Sequence, residues 1–333
     1  MPLSNSLFDK VRPRISNPQQ TLSVLTQRHQ LAANALSTYY MFSVYVSYSL
    51  LDPIHTNSLS GKGVYLWPVS WLDYFDGNSA PQIISIICFV AALVCTLAPG
   101  ARIWRIVFAV SALMTAALAN SYGAINHGYH IWVWLAAIFA TAPTNLSQLA
   151  SRRDKLGLLA TITGAQLFVL LTYSLAGLHK FKGGIAAMLQ GDAGNFSLTG
   201  PAAQIADRIL QTETEPFAAA FVISHTGLFA PLFWGLIFCQ LLALVVVFFP
   251  RLHRSFGLVL IGFHFGTWAL MEISFPLHVI WLLIFFVMSP FRPLDNSDSP
   301  LAILRDFFRW GRNIFAAPRL GIGQKQAIRR PAA

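Results

Sequence analysis

A lysine that closes a long apolar run is the side chain best placed to do chemistry. In "YSLAGLHKFKGG" (Tyr173–Gly184), Lys180 follows the apolar stretch Leu156–Leu178. At the edge of a low-dielectric slab an ammonium reaches its neutral form more readily, and a neutral lysine can act as a base. The alternative is an interfacial anchor that snorkels to water, a role Lys182 fits as well. Five more polar residues stand near or inside apolar runs: Asn126 and His127 in "NHGYHIW", His225 in "SHTG", His264 in "GFHFGTW" and Glu272 in "MEISFP". Ionisable groups in such places are rare and often functional. Each also has a structural explanation. Asn126 and His127 make a polar helix start, with Asn126 as its cap. His225 suits a turn with Gly227 and Pro231. His264 suits helix packing beside Gly262 and Gly266, and Glu272 suits plain solvation.

The elements that would position these groups read as membrane helices. Of 333 residues, 55% are hydrophobic and 11% charged, against about 25% charged in a soluble domain. The expected fold is an all-α integral membrane protein, a bundle of about eight transmembrane helices. The apolar runs are Leu31–Leu51, Ile83–Ala98, Ile103–Leu118, His130–Ala142, Leu156–Leu178, Leu228–Phe249, Phe256–Met271 and Ile273–Met288. Phe217–Thr226 is a possible re-entrant piece, because Pro231 interrupts its continuation. The segment "PAAQIADRILQTETE" has the apolar spacing of an amphipathic helix lying on the membrane. This gives three regions: an N-terminal arm over 1–30, a transmembrane domain over 31–290 and a basic amphipathic tail over 291–333.

Net charge is +10, and its placement assigns it to topology and membrane lipid rather than to nucleic acid. In an eight-span arrangement Arg102, Arg105, Arg152, Arg153, Lys155, Arg251, Arg254 and the arginine-rich tail share one side with Arg12, Arg14 and Arg28. The positive-inside rule then puts both termini in the cytoplasm. His127, Lys180, His225 and Glu272 all fall at the opposite, exoplasmic face, where a site between helices would need them. The first thirty residues have no apolar core of a cleavable signal, so insertion is expected to rely on the first span. Cys88, Cys95 and Cys239 all lie in apolar runs with no CxxC pairing. Neither a disulfide framework nor a metal site is expected.

Taken in order, "NHGYHIW", "YSLAGLHKF", "SHTG" and "PRLHRSFGLVLIGFH…SFP" resemble the HTTM group, membrane domains similar to vitamin K-dependent gamma-glutamyl carboxylase. The resemblance covers Leu31 to Pro290. It implies that Lys180, in the family's AG-x-x-K segment with Ala176 and Gly177, is the base that deprotonates a vitamin K hydroquinone-like quinol. It implies that His127, in the NH motif, assists catalysis. Asn126, His225, His264 and Glu272 are then expected to hold the cofactor. The chain departs from the family after the lysine, where Gly183, Gly184 and Ile185 replace an acidic-Trp sequence. It also closes soon after the last span, without the soluble region that binds a protein substrate.

Two function classes therefore stand at this point. One is a quinol-dependent, carboxylase-like enzyme, multi-pass in a bacterial cytoplasmic membrane. The other is a membrane maturation factor for a small secreted peptide, resembling the sporulation-delaying-peptide proteins that share this domain; here a small peptide or protein is the partner. A transporter or structural membrane protein ranks behind both, because few polar groups (Gln166, Gln240, His264) lie deep in the spans.

Overall fold

Each of the eight apolar runs lies mainly within helix in the computed structural model, which describes residues 18–60, 63–74, 79–123, 125–192 and 194–295, with 299, 301, 302 and 305. Among the described residues the chain is helical and has no strand. The α-helices are α1 (Pro18–Ser60), α2 (Ser79–Leu97), α3 (Arg102–Ser121), α4 (Gly128–Ala140), α5 (Arg152–Gln190), α6 (Gly200–Thr212), α7 (Ala219–Ser224), α8 (Thr226–Leu241), α9 (His253–Met271) and α10 (Pro276–Leu282). Three of them, α2, α3 and α5, are long and apolar enough to cross a membrane.

Some boundaries differ from the hydropathy reading, for identifiable reasons. The first helix begins at Pro18, not at Leu31, since its polar first turns continue the same helical backbone. The run Leu228–Phe249 is not one helix: α8 stops at Leu241 and a 3₁₀ segment, Ala243–Phe248, follows. The last run becomes α10 continued by a π turn, Leu283–Val287. The segment Phe217–Thr226 contains only the short α7. The amphipathic segment after Gly200 is α6, as its spacing predicts. The basic stretch Leu301–Phe315 lies outside the described residues except for Leu301, Ala302 and Arg305.

α5 matters most for the site. Its start is capped by Ser151, whose Oγ accepts from the Asp154 amide at 3.1 Å and donates to Asp154 Oδ2 at 2.8 Å. Nothing in "LHKFKGG" stops it, so the helix runs through Lys180 and ends only where Gly191 takes a left-handed φ of 75°. Its 39 residues extend about 58 Å at about 1.5 Å per residue, enough to cross a ~30 Å hydrocarbon core and continue beyond it.

The core is aromatic and centred on α1, α3, α4 and α10. Tyr39, Phe108, Trp132, Phe139, Trp281 and Phe285 are fully buried. Tyr39 Oη donates to the Trp132 carbonyl at 2.8 Å, and Trp132 Nε1 donates to Ser43 Oγ at 3.0 Å, so these two polar tips are partnered inside the bundle. Arg105, also fully buried, donates to the Phe139 and Ala142 carbonyls at 3.3 and 2.7 Å. A guanidinium on the last carbonyls of α4 answers both the unpaired oxygens and the negative end of that helix.

α5 packs against α8, and Gly177 sets how closely. A Cβ there would sit 2.7 Å from the Gln240 carbonyl carbon and collide with the Leu241 backbone nitrogen. Ser174 Oγ, one turn earlier, accepts from the Leu244 amide at 2.9 Å, where α8 has just ended. Gly177→Val should therefore lower stability by about 1–3 kcal/mol or more through overpacking against backbone that cannot move aside. Thermal unfolding in detergent checks this, and an unchanged midpoint would mean that the two helices separate freely.

Candidate functional site

Lys180 sits on the face of α5 that meets α8 and α9. Its Nζ donates to Gln240 Oε1 at 3.0 Å and lies 5.2 Å from the centre of the Phe263 ring. Lys180 is half-buried and Gln240 is buried. Among the described residues no carboxylate pairs with the ammonium; an amide oxygen and an aromatic face take that place. Cation–π attraction of this kind grows as water is excluded.

The backbone of Lys180 is held as well. Asn195 Nδ2 donates to the Lys180 carbonyl at 2.9 Å, and the Asn195 carbonyl accepts from Trp234 Nε1 at 3.1 Å. The same loop brings Phe196 against Phe181 and Phe238. Gly184 leaves room for that ring: a Cβ there would lie 2.6 Å from Phe196 Cδ2. This glycine thus has a packing role.

Phe263 also lines an apolar cavity. The cavity has a volume of about 560 Å³ and lies between α8 and α9, with Ile205 of α6 on its wall. Phe229, Leu232, Leu236 and Leu270 line it, with Gly235, Gly262 and Gly266 leaving space where side chains would fill it. Arg208 of α6 donates from Nε to the Met271 carbonyl at 3.2 Å, which docks α6 on the end of α9. The walls suit a branched hydrocarbon chain; apart from Gln204 and Thr267 the lining offers little to a polar ligand.

About two turns before Lys180 on α5, a second polar group is buried. Tyr173 Oη is hydrogen bonded to His264 Nε2 at 2.5 Å. The His264 ring stands 5.4 Å from the His278 ring, centre to centre. His264 is 5% exposed, and among the described residues its Nδ1, like that of His278, is buried without a partner. Lys180 lies within electrostatic reach of His264.

Of the residues singled out from sequence, the fold therefore brings Lys180 and His264 together. The other four stand apart: among the described residues none of them makes a hydrogen bond or ring contact with Lys180, Gln240 or His264. Asn126 uses Oδ1 to accept from the Gly128 amide at 2.8 Å and lines a cavity of about 200 Å³ shared with His278. It is one residue before the cap position, which His127 occupies. His127 is exposed, its ring against His130, and both line a different cavity of about 440 Å³. His225 is exposed at the junction of α7 and α8, its Nδ1 by Ser224 Oγ and the Phe221 carbonyl. Glu272 is exposed at the end of α9 with a φ of 53°, and Thr214 Oγ1 donates to its Oε2 at 3.2 Å.

Tyr173, Gln240, His278 and Asn195 were not in the sequence-based site. His278 had a usable signal, since a histidine inside the run Ile273–Met288 is as unexpected as His264. Gln240 and Tyr173 had none beyond their polarity within apolar runs, because their partners come from other helices.

Removing the lysine tests this arrangement without any assay of activity. Lys180→Met should cost about 1–3 kcal/mol by orphaning the buried Gln240 oxygen. The double variant Lys180→Met/Gln240→Leu should recover most of that loss, since an apolar pair of similar volume leaves nothing unpaired. Thermal unfolding of the single and double variants gives the coupling; strictly additive losses would contradict the pairing.

No family model, curated protein or solved structure matches this chain.

Proposed function

We propose that the protein is a multi-pass enzyme of a bacterial cytoplasmic membrane, with about eight spans and both termini cytoplasmic, in which Lys180 acts as the base on a quinol-type lipid cofactor. The observation that carries this reading is the setting of Lys180: a half-buried ammonium held by Gln240 Oε1 and the Phe263 face, without a carboxylate, and a 560 Å³ apolar cavity that Phe263 also lines. A carboxylate would hold the proton on the lysine permanently. An amide oxygen and an aromatic face stabilise the cation more weakly, so the amine can alternate between its two states.

The residues present fit such a cofactor. The cavity between α8 and α9 takes the isoprenoid tail, and its glycine-lined side admits a branched chain. When bound, a quinol supplies an acidic hydroxyl and two electrons. Lys180 accepts the hydroxyl proton. Gln240, by holding one N–H, aims the remaining lone pair. Asn195, on the lysine's own carbonyl, keeps the helix turn in place. The resemblance to the carboxylase-like membrane domains extends this to quinol-dependent carboxylation or oxygenation. His127, expected to assist, is placed by this reading at the rim of a separate cavity, so its contribution is indirect.

Purification with native lipid, followed by mass spectrometry of the extract, should find a quinone enriched with the wild-type protein. Reduced-quinone oxidation should fall at least tenfold in Lys180→Ala. Neither enrichment nor oxidation in the wild type would reject the quinol reading and return the chain to the alternatives: a maturation factor for a small secreted peptide, or a non-catalytic membrane protein.

A further inference from the structure

A base that takes up a proton in each turnover must also lose it. Gln240 and Phe263 offer Lys180 no titratable group to pass it to. Two titratable groups that can, His264 and His278, stand beyond the Phe263 contact. His264 follows Phe263 in α9 with ring centres 5.3 Å apart, and Lys180 Nζ is 5.2 Å from the centre of that same Phe263 ring. His264 Nε2 is taken by Tyr173 Oη, while its Nδ1 is buried and unpaired. The His278 ring is 5.4 Å from the His264 ring and 6.4 Å from Tyr173, and its Nδ1 is also buried and unpaired.

Two neighbouring imidazoles with orphaned nitrogens are an unusual expense in an apolar bundle, since each unpaired polar atom costs about 1–3 kcal/mol. Buried water is the ordinary partner for such nitrogens. His278 further lines the 200 Å³ cavity, whose wall carries Ser49, Asn126, Tyr129 and Ser274. Asn126 is exposed, so the cavity reaches the surface. In contrast to the 560 Å³ cavity, this one has polar groups enough to hold water.

We infer that His278 and His264 form a proton path between this polar cavity and the interior beside Lys180. It rests on the reading of Lys180 as a base and adds a route for discharging it. The step is proton transfer alone: His264 takes up a proton at Nδ1, the nitrogen Tyr173 leaves free, and releases it from the same nitrogen, while at His278 uptake at one ring nitrogen is matched by release from the other. Tyr173 orients the His264 ring by holding Nε2. A proton leaving Lys180 passes through buried water to His264, then by way of His278 to the water of the cavity.

The test uses full-length protein in lipid bilayers, labelled with ¹⁵N-histidine, and follows by solid-state NMR the exchange of the His264 side-chain proton with ²H₂O. His278→Phe should slow that exchange at least tenfold. His278→Gln, which keeps hydrogen bonding but cannot swap protons between two ring nitrogens, should do the same, and it carries the test should the Phe variant fail to fold. Unchanged exchange at His264 in a folded His278 variant overturns the path. A second readout is the course of quinol oxidation: in the same variants the first turnover should keep its wild-type rate and later ones slow at least tenfold, whereas a role in binding would slow the first turnover too. Because exchange is read without turnover, absence of quinol oxidation in the wild type would count against the quinol reading and leave the exchange result standing on its own.

Discussion

The close crossing of α5 and α8 is the constraint on which the site depends. Gly177 has no side chain because the backbone of Gln240 and Leu241 occupies that space. One turn further along α5, the same approach lets Lys180 Nζ reach Gln240 Oε1. A wider separation would leave an ammonium and an amide each buried without a partner, and both carry a desolvation penalty. The loop at Asn195 and Phe196 then packs on the far end of α5, over Gly184, and fixes the turn that carries the lysine.

Around that crossing the polar groups divide into two kinds. Most are spent within the fold. Serines in α1 bond back to carbonyls of their own helix, as Ser43 does to Tyr39 and Ser47 to Ser43. Arg105 closes the end of α4, and Gln166 with His253 and Ser289 forms a small buried network of their own. The second kind is not spent. Among the described residues Lys180 lacks an anion, and His264 and His278 keep unpaired nitrogens, as His29, His55, Arg105 and Trp281 do elsewhere. Unsatisfied groups lower stability, and those beside Lys180 are also placed where chemistry could use them.

The two cavities near the site differ in the way such chemistry needs. The one between α8 and α9 is apolar and shaped by glycines, while the one beside His278 carries hydroxyls and an amide. A lipid-soluble reactant and the protons it exchanges would then arrive from different sides. Phe263 and His264 are adjacent in α9: Phe263 lines the apolar cavity, and the His264 ring stands beside His278, which lines the polar one.

Hydropathy located the eight apolar runs that lie mainly in helix, three of them within helices long and apolar enough to cross a membrane, where a helix satisfies its own backbone. It also singled out Lys180 and His264, since a charge or imidazole in such a run is costly enough to stand out. Helix ends were less legible. α5 passes Lys180 because no local signal stops it before Gly191, and α8 ends at Leu241 although hydropathy continues. What only the tertiary structure decided is which polar groups meet. Asn126, His127, His225 and Glu272 read as partners of Lys180 because they shared a face in a linear count of spans. A face is broad, and hydrogen bonds reach about 3 Å. Gln240, Tyr173 and His278 became the neighbours instead, through helix crossings that no one segment of sequence encodes.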